Sequence, residues 1–138
     1  MSPIIHSEGT LPPDAERRKT HPLASGVIDY FSAALIEIAR VSYHGNQQHN
    51  PGQPLHWSRG KSNDHADCLI RHFIDRGTLD SDGIRHSAKL AWRALALLQL
   101  ELEAAGAPLA RGARLLDAEQ TDNLDAQIRE EIRERQRE

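Results

Sequence analysis

The sequence has few of the residues that would stabilise a small domain through disulfide bonds or a large apolar core. It contains one cysteine, Cys68, which excludes an internal disulfide and is typical of a reducing compartment. Hydrophobic residues make up 38% of the chain and aromatic residues 4%. Because this composition gives a single chain a small core, association of helices between subunits would add to its stability, and we expect a homo-oligomer.

The sequence also lacks the features of a membrane protein or of a protein that coats nucleic acid. No apolar run approaches the roughly 20 residues of a membrane-spanning helix, and the N-terminus MSPIIHSEGT has no signal-peptide apolar region. The formal net charge is −3, whereas coating a nucleic-acid polymer requires a cationic excess. We therefore expect a soluble cytoplasmic protein whose partners include neither a membrane nor a nucleic-acid polymer.

The pattern that is present predicts one small all-α domain. Residues 1–23 hold four of the seven prolines and no sustained period, so they are predicted to be a flexible arm. Residues 24–106 are predicted to form about three core helices with a long loop over 45–62. Residues 107–138 are predicted to be a linker and a charged segment, which is either a peripheral C-terminal helix or a tail.

Apolar side chains at three- and four-residue spacing indicate the three core helices. The predicted helices run from Ser25 to His44, from Asn63 or Asp64 to Arg76, and from Ser81 or Asp82 to about Ala105. The side chains expected in the core are Ile28, Phe31, Leu35 and Ile38 in the first helix, Ala66, Leu69, Ile70, Phe73 and Ile74 in the second, and Ile84, Ala88, Ala91, Leu95, Leu98 and Leu102 in the third. The polar side chains between them are candidates for chemistry.

The loop 45–62 contains one of the two tryptophans, Trp57. An indole is costly to leave in water, so two interpretations are open. Trp57 either fastens the loop to the core or stacks on a nucleobase or another planar ligand.

The residue types offer candidate ligands for two kinds of metal site. His65, Cys68 and His72 follow one line of the second helix, but a structural zinc site needs four ligands and one cysteine cannot supply a paired knuckle. Magnesium takes oxygen ligands, so a few converging carboxylates would hold it. Glu37, Asp80 and Asp82 are the candidates for this role, although Asp82 is equally suited to cap a helix.

A set of cationic and imidazole side chains accompanies the second and third helices. Arginine offers forked donors to phosphate oxygens and lysine a point charge, so these residues would form a phosphate-binding surface if they converge. The members of the set are Arg71, His72, Arg85, His86, Lys89 and Arg93.

Taken in order, these elements resemble the phage and bacterial dATP/dGTP diphosphohydrolase N-terminal domain family. The resemblance covers about residues 25–104 and rests on order and spacing. The matching elements are Ala39 and Val41 with Gly45, Trp57 with Gly60, the Arg71-His72 pair, Asp80 with Asp82 and Gly83, and His86 followed by Lys89, Ala91, Trp92 and Ala94.

The resemblance implies an all-α, phage-associated enzyme in the host cytoplasm that converts a purine deoxynucleoside triphosphate to the monophosphate and pyrophosphate with Mg²⁺. Under this hypothesis Glu37, Asp80 and Asp82 hold the metal, and His72 or His86 carries a proton. The side chains expected to bind the substrate are Trp57, Arg71, Arg85, Lys89 and Arg93.

Two other functions remain open. The same pocket would serve a protein that binds a nucleotide or nucleotide-derived signal without hydrolysing it, which a phage could use against a host defence. This alternative is favoured by the excess of His, Arg and Lys over converging carboxylates in the predicted pocket. A third hypothesis is a helical assembly or adaptor protein, based on the charged C-terminal segment.

Overall fold

The computed structural model describes residues 9–113 and 129–137, and its regular structure is helical, which confirms the all-α prediction. Three long helices carry the architecture: α2 (Ser32–His49), α3 (His65–Ile74) and α4 (His86–Ala104). Shorter elements are α1 (Ala15–Arg18), a π-helical turn (Ala24–Ile28) and a 3₁₀ turn (Arg59–Lys61). Within the described residues, no helix combines the length and the apolar character needed to cross a membrane.

The first predicted helix is shifted along the chain. The predicted start at Ser25 lies within the π-helical turn (Ala24–Ile28), and α2 begins only at Ser32, because the backbone of Phe31 leaves the helical region. Gly45 does not end α2, which continues to His49 before Pro51. The irregular part of the loop is therefore shorter than predicted and starts at Asn50.

The helix end and the loop are joined by buried amide groups. Asn46 donates to the carbonyl of Gln53 (3.1 Å) and accepts from the backbone N–H of His56 (3.3 Å). Asn50 donates to Asn46 (3.2 Å) and accepts from the hydroxyl of Ser58 (3.0 Å). Since buried polar groups require partners, these bonds fix the path of the loop against α2.

The third predicted helix starts later than expected because its first residues form a tight turn. Asp82 accepts from the backbone N–H of Ile84 (3.0 Å), and the N–H of Asp80 donates to the carbonyl of Ile84 (2.8 Å). Gly83 has φ +81°, a left-handed conformation that glycine adopts without strain. Asp82 thus organises the turn, and α4 begins at His86. The predicted end of this helix, just before Gly106, is confirmed.

α4 is the central helix and packs against both α2 and α3. His72 near the end of α3 contacts His86 at the start of α4, whereas His65 at the start of α3 contacts Arg93 further along α4. These two contacts show that α3 and α4 are antiparallel. Trp92 of α4 donates to the hydroxyl of Ser42 on α2 (2.8 Å).

The prediction for the buried face of α3 was wrong. His65 and Cys68 are buried and His72 is half-buried, so the polar line faces α4. Leu69 is half-buried, while Ala66, Ile70, Phe73 and Ile74 are exposed. The orientation follows from the partners that α4 offers, because Arg93 and His86 bind the polar line.

The predicted core faces of the other two helices were correct only in part. Ile84 and Ala88 are buried, Ala91, Leu35 and Ile38 are half-buried, and Ile28, Phe31, Leu95, Leu98 and Leu102 are exposed. Ile84 is the one large side chain in the described residues that is completely buried. The apolar spacing correctly predicts helices, but in a single chain part of each apolar face remains exposed.

The chain divides into two compact units, 1–108 and 109–138. In the arm predicted over 1–23, the described part contains α1, whose first turn is capped by the carboxylate of Asp14 (3.1 Å to the N–H of Glu16). In the second unit, 129–137 are helical and exposed. The rest of the predicted charged segment, 114–128, lies outside the described residues.

We expect Ile84→Ala to lower the free energy of unfolding by about 2–5 kcal/mol, because it leaves a cavity around the most buried large side chain. Ile36→Ala is the matched control, since Ile36 is 65% exposed and surface truncations usually change stability by about 0.5 kcal/mol or less. Equilibrium denaturation in urea measures both, and equal losses in the two variants would contradict the assignment of the core.

Candidate functional site

The centre of the candidate site is a contact between two imidazole rings. The Nδ1 atoms of His72 and His86 are 2.9 Å apart and the ring centroids are 5.2 Å apart. One Nδ1 must carry the hydrogen and the other must accept it, so the two rings adopt different tautomers. Burial, then the neighbouring charges of His86 and Lys89, lower the pKa of His72. The imidazole of His72 is therefore harder to protonate than that of a solvent-exposed histidine.

An acidic turn and a lysine complete this cluster. Lys89 donates to Oδ2 of Asp80 and to Oδ2 of Asp82, each at 2.7 Å, and its side chain is only 19% exposed. The hydrogen bond from Lys89, followed by that from the N–H of Ser81, lowers the pKa of Asp80 to about 2. The hydrogen bond from Lys89 also lowers the pKa of Asp82. Burial lowers the pKa of Lys89, but the two carboxylates outweigh it and the net shift is upward.

The turn places both carboxylates beside the histidine pair. Oδ1 of Asp80 accepts the N–H of Ser81 (2.7 Å), which leaves Oδ2 directed at Lys89 and 4.0 Å from Nδ1 of His86. The backbone N–H of His86 donates to the carbonyl of Thr78 (3.1 Å) and so closes the turn at the start of α4. We call His72, Asp80, Asp82, His86 and Lys89 the imidazole–carboxylate cluster.

The predicted carboxylate site for magnesium is not assembled. Glu37 forms an ion pair with Arg40 on the same helix (2.9 Å), whereas Asp80 and Asp82 share Lys89. Among the described residues, one group of three metal-binding side chains has ligand atoms within 4.8 Å of one another, and it consists of His72, Asp80 and His86. Two nitrogens and one oxygen do not fit Mg²⁺, which prefers oxygen ligands.

Trp57 lies in a second cluster, with His65, Trp92 and Arg59. Its ring meets the ring of Trp92 edge-on at 5.5 Å and that of His65 at 6.1 Å, and the guanidinium of Arg59 lies 4.3 Å above it. These contacts favour the interpretation that Trp57 fastens the loop to α4. A nucleobase would have to displace one of these neighbours to stack on the indole.

The predicted substrate-binding arginines do not converge with Lys89. Arg93 donates to the hydroxyl of Ser62 (2.8 Å) and contacts His65 Nδ1 (3.0 Å). Arg71 pairs with Asp64 on the surface (3.0 Å), and Arg85 is exposed at the N-cap of α4. Of the candidate site residues, the structure brings together His72, His86, Lys89, Asp80 and Asp82.

The sequence does not predict the contact of His65 with Arg93. Nor does it predict the ion pair between Arg59 and Glu103. The Arg59 guanidinium forms a bidentate ion pair with the carboxylate of Glu103, 44 positions later in the chain, with one bond at 3.1 Å. No local pattern signals such a distant pair. His65 is 4% exposed, and burial together with the charge of Arg93 lowers its pKa.

Comparison with protein-family models finds no matching family, and comparisons with curated proteins and with solved structures find no match either.

We expect Lys89→Met to raise the pKa of Asp80 from about 2 toward the ordinary 3.8, because the substitution removes the hydrogen bond that contributes most to the shift. In the wild type this lowered pKa stabilises the fold above pH 3.8, and the contribution is lost as the pH falls through about 2. NMR titration of the side-chain carboxyl carbons measures the pKa.

Arg71→Met is the matched control for this titration. Asp64 also has a pKa of about 2, caused first by its hydrogen bond with Arg71. The control should therefore raise the pKa of Asp64 and leave that of Asp80 unchanged. An unchanged Asp80 in Lys89→Met would contradict the assigned role of the lysine.

Proposed function

We propose that the protein hydrolyses a purine deoxynucleoside triphosphate to the monophosphate and pyrophosphate at the imidazole–carboxylate cluster. The observation that carries the proposal is the convergence of His72, His86 and Lys89 at one end of the α3–α4 pair. The purine deoxynucleotide is suggested by the resemblance over residues 25–104. Mg²⁺ has no part in the proposal, because the converging ligand set does not suit it.

In the proposed reaction water attacks the α-phosphorus. A bond forms between that phosphorus and the water oxygen, and the bond to the bridging oxygen of pyrophosphate breaks. The proton of the water passes to the imidazole pair, which has one free acceptor nitrogen when neutral. Lys89 contacts a phosphate oxygen and stabilises the charge that develops there. Pyrophosphate and the monophosphate leave, and the proton returns to solvent.

Non-hydrolytic binding is the second candidate. Its support is that Lys89 engages both carboxylates of the turn, so neither carboxylate is free to activate water. A protein of this kind would sequester a nucleotide or a nucleotide-derived signal.

Pyrophosphate release from dATP and dGTP by the full chain tests the proposed hydrolysis. We expect His86→Ala and Lys89→Met each to lower kcat/KM by about 10²-fold, the scale for a lost proton acceptor or charge-stabilising donor. His44→Ala, at an exposed histidine of α2, should leave kcat/KM unchanged.

The absence of pyrophosphate beside an active control enzyme would contradict hydrolysis. Calorimetric binding of dATP or dGTP, with the nucleotide recovered intact and the affinity unaffected by a chelator, would instead support sequestration.

We also propose that the protein acts as a homodimer that buries the exposed apolar stripe of α4. Leu95, Leu98 and Leu102 are 49%, 51% and 48% exposed and follow Ala91 at spacings of four, three and four residues. This is the spacing of a helix–helix seam. Two copies of α4, packed along this stripe, would bury it at the dimer interface.

We expect Leu98→Asp to convert the dimer to a monomer, because a carboxylate in the seam would lose its hydration on association. Light scattering coupled to size-exclusion chromatography measures the mass. Leu55→Asp is the control, since Leu55 is a 65% exposed loop residue. A monomeric wild type, or a monomeric Leu55→Asp variant with a dimeric Leu98→Asp variant, would contradict the proposed interface.

A further inference from the structure

The imidazole–carboxylate cluster contains the geometry of a metal site. His72 lies in the last turn of α3, His86 is the first residue of α4, and Asp80 lies on the turn between them. One ligand atom from each of the three residues lies within 4.8 Å of the other two, and all three side chains are half-buried. Three different backbone segments therefore direct ligands at one point.

The distances are close to those of a coordinated ion. The Nδ1 atoms are 2.9 Å apart, and Oδ2 of Asp80 is 4.0 Å from Nδ1 of His86. Ligands at ~2.0–2.1 Å from a tetrahedral ion are about 3.3 Å from one another. The two ring nitrogens would have to separate by about 0.4 Å, and Oδ2 of Asp80 would have to approach Nδ1 of His86 by about 0.7 Å. Side-chain rotations at the ends of helices and on a turn accommodate such shifts.

The ligand types select the class of metal. Imidazole nitrogen suits zinc and the other first-row divalent transition metals, whereas Mg²⁺ and Ca²⁺ prefer oxygen throughout. A set of two histidines and one carboxylate also leaves at least one coordination position open, as in metal sites that bind a water or a substrate.

A metal ion at this site would compete with the ammonium group of Lys89 for the carboxylate of Asp80. Lys89 contacts Oδ2 of Asp80, so the ammonium is the competitor for this oxygen. Asp82 holds the same ammonium at 2.7 Å and would keep it after Asp80 turns to the metal. With neutral imidazoles, two carboxylates and one ammonium leave the cluster with a net charge of −1 (−2 + 1), which favours a divalent ion.

We propose that His72, Asp80 and His86 bind one first-row divalent transition metal ion of the zinc class, with Lys89 as the competing cation that Asp82 retains. The site rests on the same residues as the proposed hydrolysis, but it does not require that hydrolysis takes place. The proposed hydrolysis belongs to the metal-free state, because a bound ion occupies the ring nitrogens that would otherwise accept a proton.

Calorimetric titration of the full chain, stripped of metal and free of chelator, tests the site with ZnCl₂ and MgCl₂ as the probes. We expect one zinc ion to bind at this site and Mg²⁺ in excess not to displace it. His72→Ala and His86→Ala should each weaken zinc binding by more than about tenfold, the lower end of losses reported for altered metal surroundings. Lys89→Met should strengthen zinc binding several-fold, because the competing charge is gone.

His44→Ala is the control, because the chain has eight histidines and any of them offers a nitrogen. An equal loss of zinc affinity in His44→Ala would overturn the proposal, as would displacement of zinc by Mg²⁺.

If the alanine variants do not fold, long-range ¹⁵N NMR of the wild-type imidazoles decides the question. Zinc should shift the His72 and His86 nitrogens together, and shifts confined to other histidines would overturn the site. If the chain binds zinc but releases no pyrophosphate when it is free of metal, that result contradicts the hydrolysis alone.

Discussion

Polar contacts along the α3–α4 interface determine which face of α3 is buried. His72 meets His86 at one end of α3, and His65 meets Arg93 at the other. Because polar groups in a low-dielectric interface need partners, these contacts fix the rotation of α3 about its own axis. Once the polar line faces α4, the apolar residues of α3 must lie elsewhere on its surface. The buried histidines and the exposed isoleucines are thus two results of one constraint.

The same interface concentrates charge at one end of the helix pair. The turn between α3 and α4 places Asp80 and Asp82 around Lys89, and all three side chains are less than a third exposed. Partly buried ion pairs depend on each other, since removal of one partner leaves the others without compensation. The cluster is therefore sensitive to any ligand that competes for one of its members, whether an anion for Lys89 or a cation for Asp80.

Periodicity predicted the helices better than it predicted their environment. Spacing alone identified three core helices, and Gly106 correctly marked the end of the longest. The spacing of Ile70, Phe73 and Ile74 could not reveal that α3 turns them outward, because orientation depends on which side chains the neighbouring helix presents. The sequence predicts too early a start for α4, because Asp82 is a good helix cap by residue type but bonds within the turn.

For the candidate site too, the sequence predicts the residue types better than it predicts their contacts. His72, Asp80 and His86 were recognised by residue type, and their proximity follows from the short connection between two antiparallel helices. Residue type alone groups Glu37 with the acidic turn, but a local ion pair with Arg40 engages its carboxylate on α2. The Arg59–Glu103 pair links the loop to the last turn of α4, and only the three-dimensional fold reveals it.

The two tryptophans of the chain contact each other where the loop crosses α4. Intrinsic fluorescence and the coupled indole bands in circular dichroism consequently arise from a single junction. An optical signal from this protein reports on whether the loop is seated on α4 and under the Arg59 guanidinium. The chain thus carries a built-in spectroscopic probe of its loop, which needs neither a label nor a substitution.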